Sequence, residues 1–388
     1  MGTILAVNSG SSTLKFAFYS NSTDGHTILF DGNADGIGND GGTMVIRDSH
    51  GARVDAARSR YDSQPQVLEH VVEHMRKLAP SMVVDAVGHR VVHGWPDLTT
   101  HQRITPEVIR ALERNVQFAP LHIPPSLALI RATEEIYPGT PQFACFDTAF
   151  HRTLPEAAFR YALPARFSQH GVRRYGFHGL SYESIVRTLG AALKPRTVIA
   201  HLGSGSSVTA VLDGKSVDTS MGLTPTGGIP MGSRPGDLDP GVAIFLMRNG
   251  DLNPDHLERM LNHECGLRAL AGTSDMRVIE SQADEGASDA LLAIEIFCRS
   301  IAKTIASYAS VLGGLDMLVF AGGIGEHSSR VRSNVCNRLA FLGIELDPAC
   351  NAASAPLIST PTRRCVVRIV ASREEEQIAH HAACLLGA

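Results

Sequence analysis

Ile4-Leu5-Ala6-Val7-Asn8-Ser9-Gly10-Ser11-Ser12-Thr13 and, much later, Thr197-Val198-Ile199-Ala200-His201-Leu202-Gly203-Ser204-Gly205-Ser206-Ser207 have the same construction. Each opens with a run of apolar, largely β-branched residues long enough for one buried strand. Each then breaks into a Gly/Ser turn and resumes a strand pattern, over Leu14 to Tyr19 in the first case and Val208 to Leu212 in the second. Asp213-Gly214 closes the second unit with a tight hairpin signal. A Gly/Ser turn of this kind exposes several backbone N–H groups in a concave arc, which suits a phosphate. Two copies, one in each half of the chain, predict duplicated domains facing each other across a cleft.

Outward from these units, strands alternate with helices. Val83 to Val92, Gln142 to Asp147, Met317 to Ala321 and Val366 to Val370 read as strands, and the third runs straight into Gly322-Gly323-Ile324-Gly325. Ile294, Phe297, Ile301, Ile305 and Tyr308 form one stripe of a helix over Ser288 to Leu312, stopped by Gly313-Gly314. The alternation places the chain in the α/β class. Pro-rich Ala119-Pro120-Leu121-His122-Ile123-Pro124-Pro125 reads as an ordered turn.

The bulk numbers narrow the function classes. At 388 residues the chain is too long for one core, so two domains are expected. A net charge of −4 argues against a nucleic-acid or anionic-membrane partner. The first residues carry no basic, apolar leader, and Leu291 to Leu312 contains Glu295, Arg299 and Lys303, so neither a signal peptide nor a membrane span is expected. Seven cysteines without a C-x-x-C pair read as reduced thiols of a cytosolic protein.

The glycine turns alone are as compatible with plain hairpins as with phosphate binding. There is no G-x-x-x-x-G-K-[ST] loop and no protein-kinase signature. Four other segments add chemistry. Gly88-His89-Arg90-Val91-Val92-His93-Gly94 sets an arginine in an apolar strand, where it must be paired, either structurally or at a site. Met231-Gly232-Ser233-Arg234-Pro235-Gly236-Asp237-Leu238-Asp239-Pro240 offers a second arginine in a Gly/Pro loop. Phe146-Asp147-Thr148-Ala149-Phe150-His151 ends a strand in a carboxylate, and Tyr175-Gly176-Phe177-His178-Gly179 places a histidine between glycines.

Taken in order with the two Gly/Ser units, Gly236-Asp237-Leu238-Asp239-Pro240 and Gly323-Ile324-Gly325-Glu326, these blocks resemble the acetate kinase family from residue 4 to about residue 380. The resemblance implies two duplicated ribonuclease H-like domains of the acetate and sugar kinase, heat-shock ATPase and actin superfamily. The domains would be 1–149 plus a returning helix 377–388, and 150–376. It implies a cytoplasmic homodimer that moves a phosphoryl group between ATP and acetate, giving acetyl phosphate and ADP. Magnesium would be the metal, with manganese as a substitute.

The same resemblance assigns residues. Arg90, Asp147, His178, Arg234 and His122 would serve catalysis, with Asp147 orienting Arg90 or a metal-bound water. Arg90, Val92, Leu121, Phe177 and Pro225 would hold the substrate. Ser11, Lys15, His201, Gly203, Ser204, Gly205, Asp275, Met276, Arg277, Gly323, Ile324, Gly325 and Glu326 would hold the nucleotide, and Asn8 and Glu374 the metal. Ser204 stands where the family usually has asparagine, and Met276 where it has an aromatic residue. A carboxylate acceptor is already ionised at pH 7, so the chemistry needs charge neutralisation and alignment rather than a base. A propionate or other short-chain carboxylate kinase and a non-catalytic nucleotide switch are the alternative readings.

Overall fold

Strand β1 (Gly2–Ser9) turns and returns antiparallel as β2 (Thr13–Ser22), with Ala6 opposite Ala17 and Asn8 opposite Lys15. The computed structural model that shows this describes residues 2–387 apart from 11, 23–24, 95, 117–118, 251 and 362–363. Strands β3 (Gly25–Asp35), β4 (Gly42–Asp48) and β5 (Arg53–Ser59) extend the antiparallel meander. On the other side of β1, β6 (Val84–Val91) and β8 (Gln142–Phe146) run parallel to it, with the short β7 (Gln102–Arg103) at the edge. The order is β5-β4-β3-β2-β1-β6-β8-β7.

The second unit repeats the plan. Strand β9 (Arg196–Leu202) pairs antiparallel with β10 (Ser206–Leu212), which pairs with β11 (Lys215–Thr219). Strands β12 (Met317–Ala321) and β13 (Val366–Ile369) lie parallel on the far side of β9. The order β11-β10-β9-β12-β13 therefore matches β3-β2-β1-β6-β8 in sequence and direction. Both units are ribonuclease H-like, and the internal echo is a duplicated fold. Asp213 and Gly214 both take positive φ, as the hairpin between β10 and β11 requires.

By contact the chain divides into Met1–Ala149, Gly179–Ser184 and Arg373–Ala388, and into Phe150–His178 and Ile185–Ser372. In the first unit the helix Glu374–Leu386 lies on the sheet, burying Ile378, Ala379 and Ala382 against Ile4, Ala6, Phe143 and Cys145. Gly88 on β6 permits this approach, since a Cβ there would lie 2.5 Å from Ile378 Cγ2. In the second unit the helix Ser288–Val311 buries Ile294, Phe297, Ile301, Ile305 and Tyr308 against the sheet residues Val198, Ala200, Leu318 and Phe320. With both faces covered, such strands become the continuous apolar runs seen in the sequence.

The Pro-rich segment is a turn over residues 119–122, as expected, and its second half opens the helix Ile123–Ile136. Proline is tolerated in a first helical turn, where its missing N–H has no intrahelical partner. All seven cysteines are free. Among the described residues no helix is long and apolar enough to cross a membrane.

Candidate active site

In the first unit, four strand and helix ends bring charged groups together. Arg90 sits near the end of β6, and Asp147 follows β8 directly, so the parallel pairing of these strands sets the two side by side. Arg90 Nε donates to Asp147 Oδ2 at 2.9 Å, and Nη2 donates to the same oxygen. Nη1 donates to Asn8 Oδ1 at 3.2 Å and to the Ser9 carbonyl at 3.1 Å. Asn8 Nδ2 in turn donates to Glu374 Oε2 at 2.9 Å and Glu375 Oε1 at 2.7 Å, at the start of the last helix.

The electrostatics follow from burial and pairing. Asp147 is 1% exposed, and burial pushes its carboxyl up against the pull of Arg90. Burial works against the Arg90 charge, yet the charges of Asp147, Glu374 and Glu375 more than offset it, so the guanidinium holds its proton more tightly than usual. Asn8, Glu374 and Glu375 offer neutral and anionic oxygens in one cluster, the donor chemistry of a hard divalent cation. Sequence alone could not decide between the first two glutamates; both reach Asn8. Lys15 is exposed opposite Asn8, and Ser11 lies outside the described residues.

The second unit arranges a histidine, an arginine and bare backbone. His178 takes a left-handed φ of 60° at the start of the helix Gly179–Leu189. Such a conformation costs a non-glycine residue about 1 kcal/mol or more and marks a position held by its surroundings. His178 Nδ1 bonds Ser207 Oγ at 2.8 Å, and its ring stacks on His201 with centroids 4.5 Å apart. Nε2 is thereby directed toward Gly205, where a Cβ would lie 3.0 Å from Nε2 and 3.8 Å from Arg234 Nη1. Arg234 Nη1 also donates to the Pro225 carbonyl at 2.9 Å. A histidine and a guanidinium thus converge on the turn between β9 and β10.

The third glycine turn lies against the second, with a Cβ at Gly203 only 3.9 Å from the Gly323 nitrogen. A Cβ at Gly323 would meet nothing within 4 Å, so this backbone is open. The Glu326 side chain serves its own loop, accepting from the Gly322 N–H at 3.0 Å and the Ser372 N–H at 3.3 Å. Ile324 packs toward the core. Asp275 caps the helix Met276–Asp284 and pairs with the exposed Arg277, while Met276 is buried in the core. Ser204 is exposed, and its carbonyl accepts from Gly232 N–H at 3.1 Å. Of the predicted substrate residues, Val92 is buried and Leu121 exposed in the first unit, with His122 beside it at the helix start. Phe177 is buried and Pro225 half-buried in the second.

Two residues that sequence reasoning passed over shape these loops. Ser207, opposite His201 in the β9–β10 register, fixes the His178 ring. Arg332 is fully buried and gives its five N–H groups to Asn351 Oδ1, Asn351 O, Ser354 Oγ, Gly325 O and Glu326 O. It holds the glycine turn after β12 by its carbonyls. An arginine in an otherwise amphipathic helix gave no sign of this.

A sequence profile of the acetokinase family matches residues 3–380. The chain is 42% identical over 393 residues to the acetate kinase of Pseudarthrobacter chlorophenolicus, covering 99% of each. It superposes on a propionate kinase from Francisella tularensis with a TM-score of 0.93 at 35% identity, covering 99% of this chain and 100% of that one. Acetate kinase of Porphyromonas gingivalis follows with a TM-score of 0.88 at 34% identity, both chains covered in full.

Proposed function

The chain belongs to the acetokinase family, and on that premise we propose that it catalyses reversible phosphoryl transfer between ATP and acetate. The observation that carries the chemistry is the convergence of His178 Nε2 and Arg234 Nη1 over Gly205. A hydrogen-bonding imidazole and a guanidinium held over bare backbone suit the equatorial oxygens of a phosphoryl group in flight.

The roles follow from residue chemistry. The acetate carboxylate attacks the terminal phosphorus in line, the P–O bond to ADP breaks, and the bridging electrons leave with ADP. No proton has to be removed, so Asp147 acts by holding Arg90 rather than as a base. Arg90 takes the acceptor carboxylate, and its planar fork suits paired oxygens in a way lysine does not. Arg234 and His178 donate to the phosphoryl oxygens, with His122 as a supporting donor. Gly203, Ser204, Gly205, His201, Gly323, Ile324 and Gly325 receive the nucleotide mainly through backbone, assisted by Ser11, Lys15, Asp275, Met276, Arg277 and Glu326. Asn8 and Glu374 would hold magnesium, which when bound neutralises phosphate charge. Val92 and Leu121 in the first unit, and Phe177 and Pro225 in the second, are the apolar residues that the family resemblance assigns to the acceptor's methyl group.

The likeness to a solved propionate kinase supports a second reading, in which a three-carbon acid is preferred. One methylene changes binding by only about 1–3 kcal/mol, so the two substrates differ in degree. Hydroxamate trapping with ATP, magnesium and two-, three- or four-carbon acids tests both readings. Acetate should give the highest kcat/KM. A higher value for propionate selects the second reading, and no acyl phosphate with any acid removes both.

We also infer a cytoplasmic homodimer. The helix Pro240–Asn249 buries none of its residues and exposes Val242, Ile244, Phe245 and Met247, the last three at 45%, 62% and 39%. An apolar patch of that kind is a protein-contact surface.

A further inference from the structure

Three side chains that phosphoryl transfer does not use meet inside the first unit. His101 lies just before β7, Glu183 near the start of the helix Gly179–Leu189, and His381 in the helix Glu374–Leu386. His101 Nε2 is 3.3 and 3.2 Å from the two Glu183 oxygens, and His381 Nε2 is 2.7 Å from Glu183 Oε2. Gln377 Nε2 lies 2.9 Å from His381 Nε2. The two imidazoles stack, with centroids 3.8 Å apart. All three side chains are largely buried.

The remaining nitrogen of His101 fixes the chemistry. The Phe146 backbone N–H donates to His101 Nδ1 at 3.1 Å. Nδ1 therefore carries no proton, and the neutral ring holds its proton on Nε2, directed at Glu183. A metal ion on His101 Nε2 would force that proton onto Nδ1, against the Phe146 N–H. The cluster is thus a hydrogen-bonded triad in this geometry rather than a metal centre. Burial opposes the Glu183 charge, but the hydrogen bonds from His101 and His381 draw its carboxyl down to about 2, so it stays an acceptor.

Each member is tied to a segment of the candidate site. Phe146 immediately precedes Asp147. The Asp147 carbonyl accepts at 2.8 Å from the Gly179 N–H, which begins the helix of Glu183. The helix of His381 begins with Glu374 and Glu375, which hold Asn8, and Asn8 holds Arg90. We propose that His101, Glu183 and His381 form a positioning triad that locks the Asp147 turn to the Glu374–Glu375 helix start, fixing the two ends of the Arg90 grip. The inference rests on the phosphoryl-transfer reading of Arg90.

Two substitutions at one position separate the bonds of His101. The side-chain oxygen of asparagine replaces Nδ1 and keeps the Phe146 bond, while losing Glu183. The side chain of glutamine reaches the Nε2 position and keeps Glu183, while leaving Phe146 without its acceptor. His101→Gln should lower kcat about tenfold or more, with KM for ATP near wild type, since small misplacements of aligned groups are costly. Its Phe146 amide should exchange with deuterium faster than in wild type. His101→Asn should keep Phe146 protected but, having lost Glu183, should lower kcat by a similar factor. Unchanged kcat in either His101 variant, or unchanged Phe146 exchange in His101→Gln, overturns the proposal. If His101→Gln does not fold, His381→Leu decides: kcat should fall about tenfold with Phe146 still protected, and wild-type kcat would refute the triad. Wild-type protein that forms no acyl phosphate would instead remove the kinase reading, and the exchange measurement would still report on the triad.

Discussion

Arg90 grips Asp147 through one oxygen only: Nε and Nη2 both donate to Oδ2, while Oδ1 is buried with no hydrogen-bond partner among the described residues. Leaving a buried carboxylate oxygen unmatched is costly, and the cost is tolerable only because the charge as a whole is paired. Removing the cation should therefore hurt twice. Arg90→Ala is expected to lower kcat by orders of magnitude and to destabilise the fold by about 3–5 kcal/mol. Arg90→Lys should not restore kcat, because one ammonium cannot bond Asp147, Asn8 and the Ser9 carbonyl in the same fork geometry. Initial rates together with urea denaturation check both parts, and wild-type kcat in either variant would refute the role.

Gly205 leaves room for two donors at once. A Cβ there would lie 3.0 Å from His178 Nε2, tighter than ordinary contact, and the ring is pinned from behind by Ser207 and His201. Gly205→Ala should displace the ring and lower kcat about tenfold or more while leaving thermal stability close to wild type. Equal kcat in the two proteins would mean that His178 does not act above this turn.

What the sequence made legible was the part encoded by local pattern. The apolar runs of β1, β9 and β12 are buried along almost their whole length, so composition alone marked them. Strands β3 and β5 were not singled out, because their residues are largely half-exposed and follow no clean alternation, while β4 alternates only over the short stretch 42–46. The charged residues Arg90, Asp147 and Arg234 were legible as anomalies, a charge at a strand end or in a glycine loop. Their partners were not. Ser207, Arg332 and Glu183 act on residues far away in the chain or through backbone carbonyls, and nothing in their own neighbourhood announces that. Met276 packs in the core and Glu326 bonds the backbone of Gly322 and Ser372, structural tasks that their place in a motif does not announce.

Arg332 donates to the carbonyls of Gly325 and Glu326 at the end of the short helix Gly322–His327, and among the described residues no carboxylate is bonded to it. Its burial depresses the guanidinium's hold on its proton, yet five acceptors keep it satisfied. Arg332→Met would leave the Gly325 and Glu326 carbonyls without these donors, at about 1–3 kcal/mol for each buried group. We expect KM for ATP to rise about tenfold, the loss of one well-placed hydrogen-bonding contact. KM for acetate should stay unchanged. Parallel shifts in the two KM values would assign Arg332 to general stability instead.

Phe245 is the most exposed large apolar side chain of the helix Pro240–Asn249. If that face pairs two copies of the chain, placing a charge in it will separate them. Phe245→Asp should run as a monomer in size-exclusion chromatography with light scattering, where the wild type runs as a dimer. A monomeric wild type, or a dimeric variant, would contradict the inferred assembly.

Glu183 gives the fold a defined pH dependence. Its carboxyl is lowered from the usual 4.5 to about 2, with burial opposing the shift and the hydrogen bonds from His101 and His381 producing it. A folded-state value below the unfolded one means that the unfolded chain takes up the proton first. The stabilisation is therefore complete above the unfolded value and is lost as pH falls from about 4.5 through about 2. A shift of this size corresponds to at most ~3 kcal/mol. Glu183→Gln removes the titration while keeping the side-chain volume. The stability gap between wild type and variant, measured by urea denaturation from pH 7 downward, should be constant near neutrality and shrink below about pH 4.5. A gap that stays constant to pH 3 would show that the carboxylate is not held by its two histidines.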